Sequence, residues 1–220
     1  MRSERSFVNV TNVLIAINVA AFVWETLTGT KGDDASLIAH GALWGPLVRQ
    51  GQWWRIVSGA FLHDGFWHIA LNMWALYQLG MFVEITLGGP RMLAIYTFSL
   101  LTSGLAVVYF APNDVTVGAS GAIFGLFGGI IAIGLRVGGA RGRSLIMQTF
   151  PILVINLIFT FAVPFISRAG HLGGLAGGFV ATLVLFAMRP PRPEPVAVDV
   201  ATGEESAAEY LPPETAQRSS

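Results

Sequence analysis

The stretch Gly118-Ala119-Ser120-Gly121-Ala122-Ile123-Phe124-Gly125-Leu126-Phe127-Gly128-Gly129-Ile130-Ile131-Ala132-Ile133-Gly134-Leu135 runs without a single charge. A segment of that length suits a helix crossing a hydrocarbon core, which takes about 20 residues at about 1.5 Å each, and is too long for a buried strand. Five further stretches have the same character: Asn9–Leu27, Phe66–Ile85, Met92–Phe110, Leu145–Phe165 and His171–Met188. The first follows Arg2 and Arg5 like a signal peptide, but it carries Asn12 and Asn18 and lacks a small-residue cleavage site, so it is read as an uncleaved span. Composition agrees: 53% of the 220 residues are hydrophobic and 12% charged, against about 25% charged in soluble domains. The sequence therefore predicts an all-α membrane protein built as a six-transmembrane-helix bundle.

The same arithmetic excludes several functions. Thirteen Lys and Arg balance thirteen Asp and Glu, with no basic block, so the cationic footprint that nucleic acids require is missing. With no cysteine, disulfides, thiolate metal sites and a cysteine nucleophile are ruled out. No cofactor is expected.

Orientation follows from the loops. With the N-terminus cytoplasmic, the inner segments hold Arg2, Arg5, Arg91, Arg136, Arg141, Arg143, Arg189, Arg192 and Arg218, and the outer ones only Lys31, Arg49, Arg55 and Arg168. Both termini are thus expected inside, with residues 1–8 a cytoplasmic N-terminus and spans two, four and six all starting at the outer face. The long segment between spans one and two is expected to have structure of its own, its Trp44, Trp53 and Trp54 suiting the lipid–water boundary. Residues 189–220, rich in Pro, Glu, Ala and Ser, read as a disordered cytoplasmic tail.

Parity has a chemical consequence. Ser120 opens span four and His171 opens span six, so a hydroxyl and an imidazole share one depth. Glycines at 121, 125 and 129 and at 170, 174 and 178 form small-residue ridges that let helix backbones approach closely, as a Ser–His hydrogen bond demands. A membrane serine commonly bonds back to its own helix, and glycine ridges serve any tight bundle, so neither feature speaks alone. His68 and Asn72, four residues apart, share one face at the start of span two. Both donate hydrogen bonds without bringing charge into lipid, which suits a developing oxyanion, although either would serve equally as interhelical glue worth roughly 0.6–2 kcal/mol. The backbone N–H of Ser120, at a helix N-terminus, is a further candidate donor. A zinc site built on His63, His68 and His171 is disfavoured because no His-Glu-x-x-His run is present, and a paired-aspartate protease because no aspartate lies inside a span.

Taken together, Trp54-Arg55, His63 with His68 and Asn72, Gly118-x-Ser120-Gly121, and His171 with Gly174 and Gly178 fall in the order and spans of the rhomboid family of intramembrane serine proteases, which residues 9–188 resemble. The resemblance implies a six-helix bundle in which Ser120 is the nucleophile and His171 the general base, a dyad without an acidic third member. It implies that His68 and Asn72, with the Ser120 amide, stabilise the oxyanion, and that His63 supports them. Where the family often has tyrosine four residues after the serine this chain has Phe124, and where it often has alanine before the histidine it has Gly170. The expected activity is endopeptidase cleavage of transmembrane segments of membrane-protein substrates near the outer face, in a bacterial plasma membrane, with membrane-protein substrates and lipids as partners and no nucleic acid. A non-proteolytic helix-binding member of the family and a small transporter are the competing readings; the first is marked by loss of serine or base, and the second needs ionisable groups along a whole crossing path.

Overall fold

The computed structural model describes residues 9–30, 32–187, 197–198 and 205–206. The chain divides into Met1–Met188 and Arg189–Ser220. In the second unit two short strands, β1 (Ala197–Val198) and β2 (Glu205–Ser206), pair antiparallel. The rest of the expected tail and the N-terminal eight residues lie outside the described residues.

The first unit is helical: α1 (Val10–Leu27), α2 (Asp34–His40), α3 (Gly45–Arg49), α4 (Arg55–Ser58), α5 (Phe66–Leu87), α6 (Gly89–Phe110), α7 (Ser120–Val137), α8 (Gly139–Ala162) and α9 (Arg168–Ala187). Five of these, α1, α6, α7, α8 and α9, are long and apolar enough to cross a membrane. Helix α5 has 22 residues but also carries His68, Asn72, Gln78 and Glu84, which lower its hydropathy. Helix bounds match the sequence reading to within a few residues. The largest shift is at α8, which begins six residues before Leu145 because Gly138 and Gly139, both at positive φ, already make the turn. The segment between α1 and α5 does form structure of its own, the three short helices α2 to α4.

Helix α7 is the hub, with 13 of its 18 residues buried. In lipid, apolar surface gives helices no reason to associate, so close van der Waals approach has to hold them. Here glycine supplies it. A Cβ on Gly174 would collide with the carbonyl of Gly121, and one on Gly178 with that of Gly125. The two ridges therefore meet at Gly121 and Gly125 as the sequence suggests, and one turn later both Gly128, against the Leu175 carbonyl, and Gly129, against the Thr182 hydroxyl, face α9. A helix of 3.6 residues per turn drifts off a strict four-residue ridge, so Gly128 comes closer to the α9 backbone than Gly129 does. On its other side α9 sets Gly173 and Gly177 against Ala106 and Thr102 of α6.

A carboxylate ties α1 to α5. Glu84 accepts from the backbone N–H groups of Val10 and Thr11, both at 2.8 Å, and from the Thr11 hydroxyl at 2.6 Å. Those N–H groups begin a helix and have no partner within it, and a negative charge complements that end of the helix dipole. At the opposite end the Arg55 guanidinium donates to the carbonyls of Ile38 (2.8 Å) and Ala42 (3.0 Å), closing the turn after α2.

Candidate active site

Ser120 is the first residue of α7 and His171 lies in the first turn of α9. With the helices pressed together through their glycines, Ser120 Oγ and His171 Nε2 lie 2.8 Å apart. Phe124, one turn beyond Ser120 on the same face, stacks on the imidazole with centroids 3.9 Å apart and planes at 16°. Its ring supplies the stacking surface without a hydroxyl. The other ring nitrogen of His171, Nδ1, lies 2.8 Å from Thr160 Oγ1 of α8.

The first turn of α5 approaches from the other side. His68 Nδ1 accepts the Asp64 backbone N–H at 3.3 Å, which leaves the proton on Nε2. That Nε2 occupies the space a Cβ on Gly118 would need, 2.7 Å from its position, and Gly118 has φ +110, a conformation that suits glycine. Asn72 Nδ2 is 3.8 Å from the same point and donates to the His68 carbonyl at 2.9 Å. His68 and Asn72 thus converge on Gly118, two residues before the serine. Among the described residues neither is hydrogen-bonded to Ser120 itself, and Asn72 makes the intrahelical bond that a purely structural role would also give it.

His63 sits behind His68, edge to face at 5.1 Å. Its backbone N–H donates to both oxygens of Glu25 at 3.1 and 3.3 Å, and its Nδ1–H donates to the Phe61 carbonyl at 3.2 Å. Burial, reinforced by the neighbouring His68, pushes the His63 imidazole down to about 3, so it is neutral at physiological pH. His40 is elsewhere, between Thr28 and Ser36 and edge-on to Trp24.

The strip between α6 and α7 that delivers Ser120 is stitched to the segment before α5. Leu43 and Thr116 exchange N–H···O=C bonds at 3.1 and 2.9 Å, Gly45 N–H donates to Pro112 at 3.0 Å, and Gly118 N–H donates to Gly59 at 2.9 Å. The nucleophile candidate therefore rests on a fixed backbone. Three side chains escaped the sequence reading: Glu25, Glu84 and Thr160. A carboxylate inside an apolar span is costly and is itself a signal, which Glu25 and Glu84 both carried. Thr160 carried none, since a threonine in a long apolar helix is common.

These features define a helical integral membrane protein with a serine–histidine pair held between two of its spanning helices. A family model, the Rhomboid domain, matches residues 50–188. The chain is 37% identical over 175 residues to Rhomboid protease GluP of Bacillus subtilis (strain 168), covering 80% of this chain and 34% of that protein. It is 32% identical over 180 residues to Rhomboid-like protease 1 of Toxoplasma gondii, covering 76% and 61%. It is also 29% identical over 147 residues to Inactive RHOMBOID-like protein 8 of Arabidopsis thaliana, covering 65% and 42%. The chain belongs to the rhomboid family. It spans about a third of the length of the first of these relatives and 61% of the second.

Proposed function

We propose that this protein is an intramembrane serine endopeptidase that cuts transmembrane segments of client membrane proteins near the outer face, through a Ser120–His171 dyad. The observation that carries this reading is the 2.8 Å separation between Ser120 Oγ and His171 Nε2 on helices joined by glycine. A base within hydrogen-bond reach is what turns a weak hydroxyl into a nucleophile.

In this reading residues 9–188 form the catalytic membrane domain and α5 crosses the bilayer with the other five long helices. Both termini are cytoplasmic, and the membrane is a bacterial plasma membrane. His171 takes the Ser120 proton as Oγ attacks the scissile carbonyl. The carbonyl electron pair moves onto oxygen, where His68 Nε2–H, Asn72 Nδ2–H and the Ser120 amide stabilise it. His171 then protonates the leaving amine, and water resolves the acyl-enzyme by the same steps in reverse order. A client helix hides its carbonyls in its own hydrogen bonds, so glycine or proline near the cut should favour cleavage.

The test is reconstitution in detergent with a fluorescent transmembrane reporter, comparing wild type with Ser120→Ala and His171→Ala, alongside labelling by a fluorophosphonate probe. Cleavage and labelling at Ser120 in the wild type alone support the proposal. Equal cleavage by all three proteins, or inhibition by a chelator, overturns it.

A further inference from the structure

The chain of hydrogen bonds continues past His171. Thr160 is fully buried near the end of α8, and its hydroxyl lies 2.8 Å from His171 Nδ1 and 2.7 Å from the carbonyl oxygen of Asn156, one turn earlier. A carbonyl oxygen can only accept. The Thr160 proton is therefore committed to Asn156, because turning it toward the imidazole would leave two bare oxygens facing each other at 2.7 Å. What the hydroxyl presents to His171 is a lone pair. Nδ1 must then carry the ring's hydrogen, and a neutral imidazole has only one. Nε2 is left bare, and it is the atom 2.8 Å from Ser120 Oγ.

We propose that Thr160 is a positioning residue that fixes His171 in its Nδ1–H tautomer, holding Nε2 open to receive the serine proton. The proposal rests on the Ser120–His171 reading above. The alternative tautomer would set lone pair against lone pair at Thr160 and leave Nε2 unable to accept. During attack the Ser120 O–H breaks, its proton passes to Nε2, and the freed electron pair on oxygen bonds to the carbonyl carbon. The Nδ1–H stays on Thr160 throughout. Threonine thus does the orienting that an aspartate does in a triad, and does it without placing a charge at membrane depth. It also comes from a third helix, α8, so the base is aimed only when α7, α8 and α9 are all in place.

The decisive measurement is ¹⁵N NMR of the full chain with labelled histidine in detergent micelles. Only four histidines are present, and His171→Gln assigns the signals of interest. The expected spectrum shows His171 Nδ1 protonated and Nε2 unprotonated at neutral pH; the reverse pattern overturns the proposal. Thr160→Val, which keeps the shape and removes the hydroxyl, should lower kcat about 10–100-fold with KM unchanged, while Thr160→Ser should restore it to within about 3-fold. A Thr160→Val protein with wild-type kcat and tautomer also overturns it. If Thr160→Val does not fold, the wild-type spectrum decides alone. A wild type that neither cleaves nor labels at Ser120 sinks the protease reading instead, and the spectrum still tests Thr160.

Discussion

Under the proposed mechanism the side chains that face the developing oxyanion are uncharged. His68 and Asn72 aim N–H groups at the backbone beside Ser120 without importing a cation, and under the proposed mechanism each is expected to matter in the transition state more than in binding. Either His68→Ala or Asn72→Ala should lower kcat about 10²–10³-fold with a small change in KM, the usual loss for one oxyanion donor, as read by reporter cleavage in detergent. Removing a group from the dyad itself should cost at least about 10³-fold, and the double variant Ser120→Ala/His171→Ala little more than either single one, because the two act as a unit. His63 makes a different prediction. Its imidazole is held at about 3 by burial, below the value near 6.5 it regains on unfolding. Between those values the unfolded chain binds the proton and the native one does not. Stability should therefore be complete above about pH 6.5 and fall as pH drops toward 3, by at most about 1.4 kcal/mol per pH unit from this residue. Thermal unfolding of His63→Asn beside the wild type checks it: the variant should lose less between pH 6.5 and 5.

At the scale of helices, the glycine seam between α7 and α9 sets the geometry. Gly178→Ala drives a methyl group into the backbone of Gly125, which cannot turn aside. Gly129→Ala meets the Thr182 hydroxyl at 2.9 Å, a side-chain tip that can rotate. The first should destabilise by about 1–3 kcal/mol and the second by less, measured as a shift in thermal unfolding in detergent. A Gly178→Ala protein as stable as wild type would mean that the seam is looser than described. This level is also where the sequence was most legible. Apolar length located the helices, glycine spacing located the seam, and shared parity brought Ser120 and His171 to one depth. The residues that went unread are those whose partners are fixed by packing alone. Thr160 meets His171 only because a loop folds α8 back alongside α9, and Glu25 meets His63 although the two are 38 positions apart in the chain. The closer approach of Gly128 than of Gly129 to the α9 backbone has a similar origin, since a four-residue ridge is only an approximation to a helix of 3.6 residues per turn.

For the whole molecule, the absence of cysteine is an experimental convenience. Single-cysteine variants can be placed at Asp114, in the strip before α7, and at Arg141, in the first turn of α8, both exposed. If the proposed orientation holds, a membrane-impermeant maleimide added to intact cells should label Asp114→Cys and leave Arg141→Cys untouched until the membrane is permeabilised. The opposite pattern would invert the topology and with it the side on which clients are cut. At this scale the latches matter too: Glu84 closes one end of the α1–α5 pair and Glu25 the other. Glu25→Ala would leave the His63 N–H buried without an acceptor, at an expected cost of about 1–3 kcal/mol, readable in the same unfolding measurement.

Ser120 and His171 are 51 residues apart in the chain. On the ribosome Ser120 is made first, and its proposed partner His171 is absent while that whole interval is synthesised. Under the proposed mechanism a nascent copy therefore cannot cut until α9 has docked against α7.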